Sequence, residues 1–308
     1  MVTIIGLIKQ SLRIKKILFK IIYFIMKAPV VLIIYNRPKE TKHVFEAIKQ
    51  SKPTTLYIFA DGGKDEKDII LCKEAQSIIN DVDWEVDLKV NISTINMGCV
   101  PRIISALDEV FKKEKTAIVL EDDCLPHLTF FDYCNNLLDY YVDDENIMHI
   151  SGCNLLQQIT SNGPSYFFSN YALPSWGWAT WARAWKKFNP NLDTWQKHKK
   201  EIYHHISQEN FAKWTDTFEY IRNNRVGWDI PWNIDIWINN GLNIMPYQNL
   251  VKNIGFDETA TFTKNKLSGF SNLRVYEMKF PLIHPKNKEI LFDKELEAAS
   301  IKLLRDMD

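Results

Sequence analysis

The chain has 308 residues, enough to bury a sizeable core as one large domain or two closely joined ones. Apolar residues make up 46% and charged residues 25%, as in an ordinary soluble globular protein, and 38 basic side chains balance 38 acidic ones, so charge offers no case for nucleic acid. Five cysteines (72, 99, 124, 134 and 153) form no CxxC pair and are odd in number, which argues against a zinc site and a secreted disulfide framework and points to a reducing cytoplasm.

Residues 1–27 differ from all that follows, with six basic side chains, no acid and an otherwise apolar filling. Lys9, Arg13, Lys16 and Lys20 fall along one helical face. The apolar run 17–26 is too short to span a bilayer and is broken by Lys20. Without a small-residue cleavage site it does not read as a signal peptide. Two readings stand: an amphipathic helix lying on an anionic inner leaflet, or an extension that is not native to a domain beginning near Met26-Lys27-Ala28-Pro29.

From residue 28 the pattern alternates strand and helix. Residues 29–35 (PVVLIIY) form the first strand, closed by Asn36-Arg37-Pro38, a good helix start, and the next helix has Val44, Ala47 and Ile48 on its apolar face. Residues 56–60 form the second strand, stopping at Asp61-Gly62-Gly63 before a helix over about 65–80. Residues 85–92 alternate as a third strand, and Asn96-Met97-Gly98 breaks the chain ahead of a helix carrying Ile103, Ile104, Leu107, Val110 and Phe111. A fourth strand, 116–120, runs into Glu121-Asp122-Asp123, and a helix (130–142) and the strand 147–151 follow. This alternation predicts right-handed crossovers and a mostly parallel sheet with helices on both faces. The chain divides into the basic segment 1–27, an α/β half 28–155 and a second half 156–308, which the resemblance given below makes the nucleotide-sugar-binding and acceptor-binding halves.

Asn36-Arg37, Asp61-Gly62 and Glu121–Asp123 all follow strands and so share one edge of the sheet, where open parallel sheets bind ligands. Three adjacent carboxylates repel one another and call for a cation. Magnesium or manganese, which bridge a protein acid to phosphate oxygens, suit them; a solvated acidic turn is the plain alternative. Asp61 and Asp122 are available for base or ribose hydroxyls and Arg37 for phosphate or base. No GxGxxG or GxxxxGK[ST] is present, which counts against a dinucleotide dehydrogenase or a P-loop NTPase.

After Gly152 the pattern changes. Residues 165–169 suggest a short strand, and Trp178, Trp181 and Trp185 share one face of an expected helix, leaving Trp176-Gly177 just before it to line a site. Most of the ten Trp lie after residue 175; such clusters pack cores, and a Trp-lined cleft can also hold a sugar ring. Residues 195–224 read as two polar helices forming a lid or acceptor-side insertion, with His198, His204 and His205 on the surface. In Gly227-Trp228-Asp229-Ile230-Pro231-Trp232 one acid stands among bulky apolar residues. Partial burial would raise the Asp229 pKa, as suits a general base; capping the helix 231–240 is the alternative. Polar turns, one more strand and a terminal helix complete the chain.

In their order, PVVLIIYNRP, ADGG, IVLEDDCLP with FFDYCNNLL, IMHISGCN, SWGWATWARAW, GWDIPW and LVKNIGF resemble bacterial sugar transferases, nucleotide-sugar glycosyltransferases of the GT-A (Rossmann-like) fold, over residues 28–265. More distantly the chain is similar to N-acetylglucosaminyltransferase I. The resemblance implies transfer of a hexosyl or N-acetylhexosaminyl group from a nucleoside-diphosphate sugar, with UDP expected, to a glycan or lipid-linked saccharide acceptor in surface polysaccharide synthesis. It makes Asp123 the ligand of Mn2+ or Mg2+, Glu121 and Asp122 contacts to sugar and ribose, Arg37 and Asp61 contacts to uridine, and Trp176-Gly177 a wall of the cleft. Arg102 falls where the distant relative has a His near the nucleotide. Asp229 matches the base that activates the acceptor hydroxyl, which favours that role over capping and implies inversion. A sugar nucleotidyltransferase and a non-catalytic glycan- or nucleotide-sugar-binding subunit are the competing classes; the former lacks its Gly-rich loop here. A cytoplasmic protein touching the inner membrane face through residues 1–27 is the expected setting.

Overall fold

The computed structural model describes residues 27–157, 159, 163–191, 193–224, 227–256 and 268–306. The basic amphipathic reading therefore falls, apart from Lys27, outside the described residues. Among the described residues no helix is long and apolar enough to cross a membrane.

The elements in chain order are β1 (Val30–Ile34), α1 (Pro38–Ser51), β2 (Thr55–Ala60), α2 (Glu66–Gln76) running into a 3-10 turn (Ser77–Asp81), β3 (Asp87–Ile92), α3 (Cys99–Val110), β4 (Thr116–Glu121), β5 (Cys124–Pro126), α4 (Thr129–Tyr140), β6 (Ile147–Ser151), β7 (Tyr166–Ser169), β8 (Trp178–Trp181), α5 (Ala182–Trp185), α6 (Asp193–Lys197), α7 (Lys199–Tyr203), a 3-10 turn (Gln208–Asn210), α8 (Phe211–Asn224), α9 (Asp229–Ile238), β9 (Leu242–Pro246), β10 (Val251–Asn253) and α10 (Asp293–Asp306). Eight strands form one mixed sheet in the order β3-β2-β1-β4-β8-β6-β9-β7, and β5 pairs with β10 in a separate two-stranded ribbon. Strands β1 to β4 are parallel, while β8 and β7 run against their neighbours.

The fold is the expected α/β one, a mostly parallel sheet covered on both faces. Alternation along β1 divides its side chains: Val30, Leu32 and Ile34 pack under α1 and α4, whereas Val31 and Ile33 pack under α3 and α9. A third apolar cluster joins α8, α9 and α10 beside β7 and β9. The sheet is continuous across residue 155, since β6 lies between β8 and β9.

Two local expectations are corrected. Trp178 and Trp181 do not share a helical face: residues 178–181 form β8, wedged between β4 and β6, and only 182–185 are helical. The two indoles consequently enter opposite cores, one under α9 and the other under α4, where the Trp181 N–H reaches the Leu138 carbonyl at 3.1 Å. Bulky aromatics at these positions suit either period, and pairing with two flanking strands decides it. The ribbon strand β5 was also absent from the sequence reading, because it is only three residues long and its partner lies far along the chain.

Candidate active site

β1, β2 and β4 end at one edge of the sheet, with Ile33 of β1 in register with Glu121 of β4. Glu121, Asp122 and Asp123 therefore emerge beside Tyr35–Arg37. The Tyr35 backbone N–H donates to Asp122 Oδ2 at 2.9 Å, and the Arg37 guanidinium meets Asp123 Oδ2 at 3.2 Å and the Gly255 carbonyl at 3.2 Å. These side chains are only partly exposed, Arg37 at 12% and Asp123 at 18%, so the pair is shielded yet reachable.

The β5–β10 ribbon brings a distant segment onto the same spot. Asn253 is paired with Cys124, its Oδ1 accepts from the Gly255 N–H at 2.7 Å, its side chain helps lower the Asp123 pKa, and Ile254 donates its N–H to the Asp123 carbonyl at 2.8 Å. At Gly255 an added Cβ would lie 2.8 Å from the Asp123 Cβ and collide with the Arg37 guanidinium, so only glycine leaves the ion pair intact.

Asp229, the first residue of α9, is near enough to this group for its charge to act on Glu121. It is not an N-cap of the usual kind: its Oδ1 accepts from the adjacent Ile230 N–H at 3.0 Å, and the helix begins at 229 rather than 231. Burial raises its pKa. Glu121 is lifted well above the carboxylate range, by burial first and then by the charges of Asp123, Asp122 and Asp229, with a hydrogen bond from Trp228 acting the other way. Burial also lifts Asp122 and Asp123, and Arg37 opposes both shifts. Burial first, and then the charges of Glu121 and Asp229, raise the pKa of Cys99 at the start of α3.

Three adjacent carboxylates thus crowd beside the Arg37 guanidinium, with the Asp229 charge reaching Glu121. That crowd is destabilising as it stands and fits a hard cation. Among the described residues no group of three or more ligating side chains forms a cage. The donor set suits an ion held through a single carboxylate such as Asp123, its other positions filled by phosphate oxygens and water.

Other residues singled out from the sequence lie nearby in supporting roles. Asp61 is buried, and its two oxygens accept from the backbone N–H groups of Gly62, Met97 and Gly98, each at 2.9 Å, and from the Asn96 amide at 3.2 Å. It orders the loop that starts α3. Arg102, also buried, donates to the Ala60 carbonyl at 2.8 Å and to Asn91, and its guanidinium lies 5.3 Å from the Phe59 ring centroid. It braces the ends of β2 and β3 beneath Asp61. Trp176 packs edge-on against Phe256 at 5.7 Å. Gly177, with φ of 65°, gives its carbonyl to the Gly152 N–H at 2.8 Å, and a Cβ there would meet Val251 at 2.8 Å and Leu120 at 3.1 Å. The Trp-Gly turn therefore abuts the last apolar residue before the acidic triplet.

Sequence reasoning missed Tyr35, Cys99, Trp228 and Asn253. Asn253 stood within LVKNIGF, but nothing in that segment marks a partner 130 residues away. Trp228 carried a usable signal, an indole N–H beside a predicted acid.

No family model matches the chain, and no curated protein matches it. Among solved structures it is similar to residues 1–349 of TarS from S. aureus, at 12% identity and a TM-score of 0.37, over 52% of this chain and 48% of that one. It is also similar to glucosyl-3-phosphoglycerate synthase from Mycobacterium tuberculosis, in complex with Mn2+, UDP and phosphoglyceric acid, at 11% identity and a TM-score of 0.33, over 57% of this chain and 66% of that one. The likeness thus spans about half and about two thirds of those chains. At such identities and TM-scores it carries no weight for function.

Proposed function

We propose that the protein is a metal-dependent glycosyltransferase that moves a sugar from a nucleoside-diphosphate sugar, UDP-linked, to the hydroxyl of a glycan or lipid-linked saccharide, with inversion. The observation that carries this reading is the gathering of Glu121–Asp123 with Arg37 at the ends of β1 and β4, within electrostatic reach of Asp229. The order of motifs shared with bacterial sugar transferases supports it further.

In this reading residues 28–155 bind the donor and 156–308 the acceptor. Asp61 and Arg102 hold the loop against which the uridine rests, Arg37 neutralises diphosphate charge, and Glu121 and Asp122 accept from sugar and ribose hydroxyls. Manganese or magnesium held by Asp123 would stabilise charge developing on the departing diphosphate. Asp229 takes the proton of the acceptor hydroxyl as that oxygen attacks the anomeric carbon from the face opposite the leaving group. The Trp176-Gly177 turn closes one wall and excludes water that would otherwise hydrolyse the donor. Synthesis of a bacterial surface polysaccharide on the cytoplasmic face of the membrane, with residues 1–27 in peripheral contact, completes the proposal.

The test is hydrolysis of a panel of UDP- and GDP-sugars with manganese, comparing wild type with Asp123→Ala and Asp229→Ala. Slow release of one nucleotide, lost in Asp123→Ala, supports the reading and names the donor. No turnover together with no metal-dependent nucleotide binding overturns it.

A further inference from the structure

The β5–β10 ribbon has a second face. Asn253 turns toward Asp123, so strand alternation turns Lys252 and Ile254 the other way. There they line a groove of about 540 Å³ whose opposite wall includes Ser271, Asn272, Arg274 and Tyr276. The two walls are joined through Asn249, which is fully buried. Its side-chain amide donates to the Arg274 carbonyl at 2.9 Å, its backbone carbonyl accepts from the Tyr276 N–H at 2.8 Å, and its Oδ1 accepts from the Asn154 N–H at 2.9 Å. The groove is thus pre-formed rather than a gap between loose loops.

Its charge is one-sided. Among the described residues no acid lines it, and neither Lys252 nor Arg274 has an ion-pair partner. An ammonium and a guanidinium, with hydroxyl and amide groups between them, match a phosphate: the guanidinium fork takes two oxygens and the ammonium neutralises the remaining charge. The groove also adjoins the cleft, since Ile254 on its wall donates to the Asp123 carbonyl.

We propose that this groove binds a phosphate group carried by the acceptor substrate. The assignment rests on the glycosyl-transfer reading and adds to it the chemistry of the acceptor. The donor diphosphate lies with Arg37 and Asp123 on the other face of the ribbon, so donor and acceptor phosphates occupy separate sites.

The test is calorimetric titration of glycerol phosphate into the full chain at low salt, with and without saturating UDP and manganese, and of glycerate as a carboxylate control. Glycerol phosphate is expected to bind in both conditions. Lys252→Ala with Arg274→Ala should weaken it about tenfold or more, the loss of two charge-assisted contacts. Lys67→Ala, removing an exposed lysine on α2, should leave it as in wild type, and melting curves establish that each variant is folded. Absence of binding, undiminished binding in the double variant, displacement by UDP, or a preference for glycerate each overturns the proposal. Donor hydrolysis by wild type separates the two failures. Hydrolysis without glycerol phosphate binding sinks this inference alone, and binding without any nucleotide-sugar turnover sinks the transferase reading.

Discussion

The Trp228 indole acts on the Glu121 carboxyl, opposing the burial that lifts its pKa, and so couples the residue before Asp229 to the end of β4. Behind it, Trp178 stacks on Trp228 at 5.0 Å between ring centroids, and His149 stacks on Trp178 at 5.0 Å. Trp232, one turn further along α9, donates its indole N–H to His149 Nδ1 at 3.0 Å. An aromatic stack seated on the sheet therefore sets where α9 begins, and with it the position of Asp229.

Trp228→Phe keeps the ring and removes the N–H. An N–H interaction with a neutral carboxyl is worth about 0.5–1.5 kcal/mol, so the turnover number should fall by about two- to tenfold, with donor KM nearly unchanged. Steady-state kinetics and a melting curve check this. A loss of stability matching the loss of turnover would instead make Trp228 a packing residue alone.

Asp229 must be ionised to accept a proton, and burial raises its pKa above the ordinary 3.8. Activity should therefore rise with pH through an inflection above that value, and not the reverse. A profile of kcat/KM between pH 4 and 8 reads this out. Asp229→Asn should lie low and flat across the range, whereas a retained acid limb in that variant would assign the limb to another group.

Asp122 makes a separable prediction about stability. Burial and the neighbouring Asp123 raise its pKa, so the folded protein holds its proton over a window where the unfolded chain has lost it. This residue's contribution to stability accordingly declines as pH rises through that window. Asp122→Asn removes the charge and keeps an oxygen for the Tyr35 N–H. The metal-free variant should melt several degrees above wild type at pH 7.5, with a gap that narrows as pH falls from about 7 toward 3.8, and lose donor hydrolysis. Equal melting temperatures at pH 7.5 would show that the crowded acids carry no strain.

Much of residues 28–155 was legible because its cues are local. Five-residue apolar runs, Asn36 before a helix and Asp61-Gly62 after a strand each state their structure within a few positions, and parallel topology then forces their ends onto one edge. What escaped depends on distant pairing. The indoles 178, 181 and 185 fit a helical face, and only β4 and β6 on either side make the first four residues a strand. Asn253 and Gly255 reach Asp123 solely through the ribbon with β5. Strand order puts Asp61 at the sheet edge and the resemblance alone singles out Arg102, whereas their saturation by backbone groups is invisible without coordinates.

His149 supplies the last prediction. It is fully buried, its Nδ1 accepts the Trp232 N–H, and burial depresses its pKa to about 3, so it is neutral in the folded protein. The unfolded chain binds that proton below the ordinary 6.5, so the stability that depends on a neutral imidazole is present above 6.5 and is lost as pH falls toward 3. The loss approaches about 1.4 kcal/mol per pH unit within that window. His149→Gln keeps an acceptor for the Trp232 N–H without a titrating ring. In urea unfolding at pH 7.5, 6 and 5, wild type should lose its advantage over the variant as pH falls. A gap that stays constant across the three values would mean that the ring is protonated, or hydrated, in the folded state.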